Sequence, residues 1–162
     1  ILLKSDNIMN IEIERKFLVK QLPSCIDTVI HIKQYYISNN QNMVQRLRIF
    51  NGEEAIISFK QKTSKLTKYE FEYHIPIEDA NKMIEFMGDV PFINKKRHII
   101  KIESIKWEVD EFLDQNKGLI IAEVELNDIK QIINIPDWVD KEVTEDNKYY
   151  NYNLALNPYI SW

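Results

Sequence analysis

The sequence predicts a β-rich α+β fold, on three observations. Apolar and charged residues alternate with a period of two along most of the chain, as they do in half-buried antiparallel strands. Helical stripes are few and short. The apolar content of 44%, with 11% aromatic residues, supports a packed core and is too high for a disordered chain. A length of 162 residues suits one domain.

The elements follow in order. Residues 11–17 place Glu12, Glu14 and Lys16 on one face of a strand and Ile11, Ile13 and Phe17 on the other. Residues 44–49 put Arg46 and Arg48 together. After a turn at Asn51-Gly52, residues 55–62 put Lys60 and Lys62 opposite Phe59. Residues 69–73 set Glu70 and Glu72 against Tyr69, Phe71 and Tyr73. Residues 93–102 pair Lys95 with Arg97, and residues 107–110 pair Glu108 with Asp110, which turns Trp107 to the other face. Residues 119–126 pair Glu123 with Glu125 opposite Ala122, Val124 and Leu126, after a turn at 115–118 in which Gly118 supplies positive φ.

Helices are expected at three places. Ala80, Met83, Ile84 and Met87 form a core stripe that stops at Gly88; Ile129, Ile132 and Ile133 suggest a short helix before Pro136; Thr144 reads as the N-cap of a helix over 145–156 with Tyr149, Tyr152 and Leu156 on one side. The pattern amounts to about seven or eight strands and three short helices. Cys25 is expected as a small buried residue and the three histidines as surface or hydrogen-bonded loop residues.

Composition excludes several chemistries. Gly52, Gly88 and Gly118 are isolated, so neither a P-loop nor a dinucleotide-binding glycine cluster can form. One cysteine excludes an internal disulfide and a cysteine-rich zinc site. No apolar run approaches the ~20 residues that span a bilayer, and the start of the chain does not resemble a secretory signal, so no membrane partner and a cytoplasmic location are expected. A net charge of −4 argues, taken alone, against a polyanionic ligand.

Sorting the charges by strand changes that inference. A single strand of alternating charge is ordinarily the wet face of a sheet. Here each strand carries like charges two apart, and like charges on one face repel unless something multivalent offsets them. Carboxylate clusters suit hard divalent cations such as Mg²⁺ or Mn²⁺. Arginine and lysine clusters suit phosphate oxygens. One face offering both suits a metal–polyphosphate complex, whether the sheet closes into a barrel or stays open.

The order of these pairs resembles one family. Glu12-Ile13-Glu14-Arg15-Lys16 is similar to the E-x-E-x-K signature of the CYTH superfamily, the triphosphate tunnel metalloenzymes. Gln34-Tyr35-Tyr36, Arg46-Leu47-Arg48, Lys60-Gln61-Lys62, Glu70-Phe71-Glu72, Lys95-Lys96-Arg97, Trp107-Glu108-Val109-Asp110 and the run from Gly118 to Leu126 follow in family order. Pro136-Asp137-Trp138, Glu142-Val143-Thr144 and Tyr149-Tyr150-Asn151 to Leu154-Ala155 continue it. The resemblance covers residues 9–156, leaving 1–8 as an N-terminal extension and 157–162 as a C-terminal tail.

The resemblance implies a closed eight-stranded antiparallel β-barrel forming a tunnel, with helices packed outside. It implies divalent-metal-dependent hydrolysis of a small-molecule triphosphate, foremost inorganic tripolyphosphate to pyrophosphate and phosphate. Nucleoside or thiamine triphosphates are further candidates, and no nucleic-acid partner is expected. The alternatives are a class IV adenylyl cyclase, a thiamine triphosphatase and a non-catalytic polyphosphate-binding module. Two Mg²⁺ or Mn²⁺ ions are implied. Glu12 and Glu14 with one or both of Glu123 and Glu125 would hold one, and Asp110, Glu123 and Glu70 or Glu72 the other. Lys16, Arg46, Arg48, Lys60, Lys62, Lys95 and Arg97 would bind the phosphates, with Tyr36 capping the substrate. The chain is expected to act as a monomer or a homodimer.

Overall fold

The fold was obtained as a computed structural model, which describes residues 11–39, 43–62 and 67–162. Residues 1–8, read as an extension, lie outside the described residues, as does the side chain of Lys62. The strands are β1 (Ile11–Val19), β2 (Thr28–Asn39), β3 (Val44–Phe50), β4 (Glu54–Lys62), β5 (Thr67–Ile75), β6 (Phe92–Ile102), β7 (Ile105–Phe112), β8 (Ile120–Glu125) and β9 (Val139–Glu142). Two α-helices, α1 (Ile77–Met87) and α2 (Asn151–Leu156), accompany them.

The expectation of a closed eight-stranded barrel is corrected. The structure is a single nine-stranded antiparallel sheet in the order β5-β4-β3-β2-β6-β7-β8-β1-β9. The sheet curls like a tunnel, but β1 meets β5 only where Ile11, Glu12 and Ile13 face Tyr69, Lys68 and Thr67. Farther along, the same edge of β1 is taken by β9, through Phe17 and Val19. A closed barrel would pair β1 with β5 along its length. The physical reason for the difference is β9, a four-residue strand with too little alternation to register in the sequence.

Alternation sorts the two faces as expected. On the outer face Phe17, Ile100, Trp107, Val109, Ala122 and Val124 are buried together beneath the 126–139 connection, and Trp107 packs on Phe17 at 5.6 Å and Trp138 at 5.3 Å. A second outer cluster joins Leu47, Ile49 and Ala55 to Ala80 of α1. Gly88 ends α1 with φ +66°. The third cluster lies inside the curl. Tyr36, Ile93, Phe112 and Ile121 meet Val143, Tyr149 and Leu154 there, so the segment containing α2 fills one end of the tunnel.

Several local expectations are also corrected. No helix forms at 129–133: Asp128 accepts from Lys130 N at 2.7 Å and Gln131 from Asn127 N at 2.7 Å, and such local bonds compete with a helical turn. Thr144 caps no helix. Its hydroxyl accepts from Lys16 N at 3.0 Å, and α2 begins only at Asn151, after a short 3-10 turn. Cys25 is exposed, and on α1 only Ala80 is buried, with Met83 38% exposed. His31, His74 and His98 stand on strands rather than loops, although His74 is on the surface as expected and His31 and His98 hydrogen-bond Asn94 and Glu111. No helix among the described residues is long and apolar enough to cross a membrane.

Candidate active site

The register of the sheet decides which charges meet on its inner face. Directly opposed residues of antiparallel strands share a face, so Glu14 lies beside Glu125, Lys16 beside Glu123, and Glu123 beside Glu108. Lys60 lies beside Glu70, and Arg97 beside Asp110. Glu12, Glu14, Lys16, Arg46, Arg48 and Lys60 line one cavity of about 250 Å³ with Glu70, Lys95, Arg97, Glu108, Glu123 and Glu125. Tyr36 stands at its capped end. Asp110 is not on the wall: it is 1% exposed, behind Lys95 and Arg97. Glu72 stands at the rim, 40% exposed, holding Arg48.

The charges are paired in two groups. In one, Lys16 contacts Glu123 and lies 3.1 Å from Glu14. Arg97 contacts Glu108, donates to both Asp110 oxygens at 2.7 Å and reaches Glu123 at 3.0 Å. Lys95 donates to Asp110 at 2.5 Å. In the other group, Arg46 contacts Glu70 and donates to Ser58 Oγ at 2.8 Å, while Lys60 contacts Glu12 and lies 3.2 Å from Glu70.

Burial and pairing set the proton affinities. Burial would lower Lys16, but Glu123 and Glu14 outweigh it and hold the ammonium above its ordinary range. Burial and then Arg97 push Lys95 down to about 8, against the pull of Asp110. Burial would raise Glu70 and Glu123, yet the cations around them hold both well below the ordinary carboxylate range. Glu12 goes the other way: burial and the neighbouring Glu70 push it up to about 7 despite Lys60. Burial, with a smaller push from Glu123, raises Tyr36 against the pull of Arg46, Gln34 and Lys16; its hydroxyl accepts from Gln34 Nε2 at 2.5 Å.

Some wall residues were not anticipated as site residues. Gln34 shares a face with Tyr36, and Lys106 shares one with Glu108, 2.7 Å away; Ser58, on the face of Lys60, lies buried behind the wall under Arg46. Strand parity could have found all three. Tyr150, Asn151 and Tyr152 also line the cavity; Tyr152 belongs to the expected Tyr149/Tyr152/Leu156 stripe, whereas no periodicity marks Tyr150 and Asn151.

Comparison with known proteins gives the family. Residues 10–154 match the model of the CYTH domain. The chain belongs to the CYTH family. Among its relatives, an inorganic triphosphatase of Acetivibrio thermocellus is 39% identical over 153 residues, covering 93% of this chain and 97% of that protein. An inorganic triphosphatase of Nitrosomonas europaea is 29% identical over 149 residues, covering 90% and 97%. The solved structure of the inorganic triphosphatase NE1496 superposes with a TM-score of 0.67 at 29% identity, covering 90% of this chain and 94% of that one.

The acids of this CYTH domain fit a hard divalent cation by donor type. Four glutamates stand on the adjacent strands β1 and β8, with Glu14 directly opposite Glu125. Glu12 Oε2 is buried and meets Lys60, but no donor reaches it with hydrogen-bonding geometry. Among the described residues no three carboxylates converge as ligands would, and Glu12, Glu14 and Glu123 each face a lysine or arginine that a cation would have to displace.

Proposed function

We propose that the protein is a metal-dependent inorganic triphosphatase that hydrolyses tripolyphosphate to pyrophosphate and phosphate. The single observation that carries this reading is the inner wall, where buried bases and like-charged carboxylates line one small cavity. The similarity to curated inorganic triphosphatases supports the same class of enzyme, and CYTH triphosphatases are generally metal-dependent.

Lys16, Arg46, Arg48, Lys60, Lys95 and Arg97 bind the phosphate oxygens, and Lys62 belongs to the same strand face as Lys60. Their charges are fixed in place before substrate arrives, so they stabilise the charge that spreads over the transferred phosphoryl oxygens at little reorganisation cost. Glu70, Glu72 and Asp110 hold those bases in position; Asp110 does so from behind the wall. Glu12, Glu14, Glu123 and Glu125 would hold Mg²⁺ or Mn²⁺. Bound there, the cation supplies charge neutralisation and Lewis-acid polarisation of phosphate oxygens. Tyr36 bounds the substrate at the capped end. Water is the co-substrate: its oxygen bonds to the terminal phosphorus as the bond to the pyrophosphate oxygen breaks.

The small cavity, filled at one end, favours a bare chain of phosphates over a nucleotide. Thiamine triphosphate is the second reading, drawn from Tyr150 and Tyr152 on the wall; Trp107 is buried in the outer core and takes no part. The test is to incubate the protein with Mg²⁺ or Mn²⁺ and tripolyphosphate, thiamine triphosphate or ATP. Phosphate and pyrophosphate from tripolyphosphate are expected as the fastest products. Cyclic AMP from ATP, or tight tripolyphosphate binding with no product, would overturn the assignment.

A further inference from the structure

One polar side chain deep in the capped end plays no part in the chemistry above. Asn116, 5% exposed, stands in the 3-10 turn between β7 and β8. Its Nδ2 donates to Leu154 O of α2 at 3.3 Å, and its Oδ1 accepts from Tyr159 N at 2.8 Å. One amide therefore ties the sheet both to α2 and to the residues after it. Those residues are held in turn: Trp162 Nε1 donates to Asn157 O at 3.0 Å, and the indole packs edge-on against Tyr149 at 5.4 Å and Tyr159 at 5.1 Å. On the inner side, Tyr152 of α2 meets Tyr36 edge-on at 5.0 Å. A continuous set of contacts thus runs from residues 157–162 through Asn116 and α2 to the wall of the cavity.

We propose that Asn116 is a positioning residue: with residues 157–162 it forms a latch that keeps α2 seated across one end of the tunnel, and this closure sets substrate specificity. The inference rests on the triphosphatase reading. In a tunnel blind at one end, a phosphate chain enters with an unsubstituted terminus leading, and that terminus seats near Tyr36 and Tyr152. A triphosphate esterified at both ends cannot do so. Removing a buried amide leaves Leu154 O and Tyr159 N without partners, so α2 loosens while the sheet that carries the charged wall is untouched. Wall contacts of this kind act on ground and transition state alike and are read in KM rather than kcat.

The test compares the wild type with Asn116→Ala, which loses both bonds, and Asn116→Asp, which keeps the acceptor for Tyr159 N but loses the donor to Leu154 O. For Asn116→Ala, the KM for tripolyphosphate is expected to rise roughly 5–10-fold with kcat within about 2-fold. Asn116→Asp should fall between it and the wild type. A dinucleoside triphosphate should bind the alanine variant in calorimetry and should not bind the wild type. Amide hydrogen exchange over residues 151–162 should quicken about 10-fold while β8 is unchanged. Unchanged KM, unchanged exclusion of the dinucleoside triphosphate, or exchange quickened equally in β8 overturns the latch. If Asn116→Ala does not fold, Trp162→Ala loosens the same segment and the same readouts decide. A wild type inert toward tripolyphosphate defeats the proposed function alone, because exchange and dinucleoside binding still judge the latch.

Discussion

The two halves of the charged wall differ in sign. Of the described residues that line the cavity, those on β1, β6, β7 and β8 are five acids, Glu12, Glu14, Glu108, Glu123 and Glu125, against four bases, Lys16, Lys95, Arg97 and Lys106. Those on β3, β4 and β5 are three bases, Arg46, Arg48 and Lys60, against one acid, Glu70. The consequences are visible in the proton affinities. Arg48 is held below its ordinary value by burial and then by Arg46, whereas Arg97, buried among Asp110, Glu108 and Glu123, is held well above it. A lone polyanion would suit only the second half, and a lone cation only the first. On the proposed function, this division would set the metal toward β1 and β8 and the phosphates toward β3 and β4.

The largest expected effects test that division directly. Glu14→Gln should lower kcat/KM for tripolyphosphate roughly 100-fold and raise the metal concentration needed for half-maximal rate. Arg46→Ala should lower kcat/KM by roughly 10- to 100-fold through the substrate, leaving metal half-saturation in place. Titrating metal and tripolyphosphate separately with both variants checks this. If both move the metal requirement equally, the two halves act as one mixed site and the comparison breaks. Circular dichroism should show both variants folded.

A smaller effect concerns stability without metal. Glu12 titrates near 7 in the folded protein against 4.5 for an ordinary glutamate. Between those values the folded state keeps a proton that the unfolded state has lost. That contribution is therefore full below about pH 4.5 and is lost as pH rises through about 7. Lys95 slopes oppositely: its penalty is full below about 8 and is relieved as pH climbs toward 10.5. Allowing for the partial exposure of Glu12, the expected loss between pH 5 and 7.5 is about 1 kcal/mol, or some 2–4 °C in Tm. Glu12→Gln should flatten that segment of the metal-free Tm profile. An unchanged slope would mean that Glu12 is already charged at pH 5.

Much of the wall was legible because its signal is local. Like charges two apart on Ile11–Val19, Val44–Phe50 and Ile120–Glu125 fix which face each residue occupies, whatever the partner strand. Edges and ends were not legible. Periodicity reports faces, so it could not say that β1 would meet β5 over three residue pairs and then pass to β9. Nor could it show that Asp110 stands behind the wall, since that depends on Lys95 and Arg97 reaching across from β6. The capped end was hidden for a similar reason. Thr144 looks like a helix cap in sequence, but its hydroxyl is committed to Lys16 N, a partner 128 positions away.

The smallest effect should come from an ion pair that links β1 to β9 on the outside. Arg15 donates to Glu142 through Nε at 2.9 Å and Nη2 at 2.7 Å. The fork lowers the proton affinity of Glu142 and raises that of Arg15, but their side chains are 42% and 26% exposed, so solvent and salt screen the pair. Arg15→Ala should cost about 0.5–1 kcal/mol, read as a small fall in Tm that shrinks further in high salt. It should leave KM for tripolyphosphate unchanged, because Arg15 faces away from Glu14 and Lys16 on the same strand. A change in KM would show that β9 governs the shape of the wall, and that the seam beside β1 couples the outer face to the cavity.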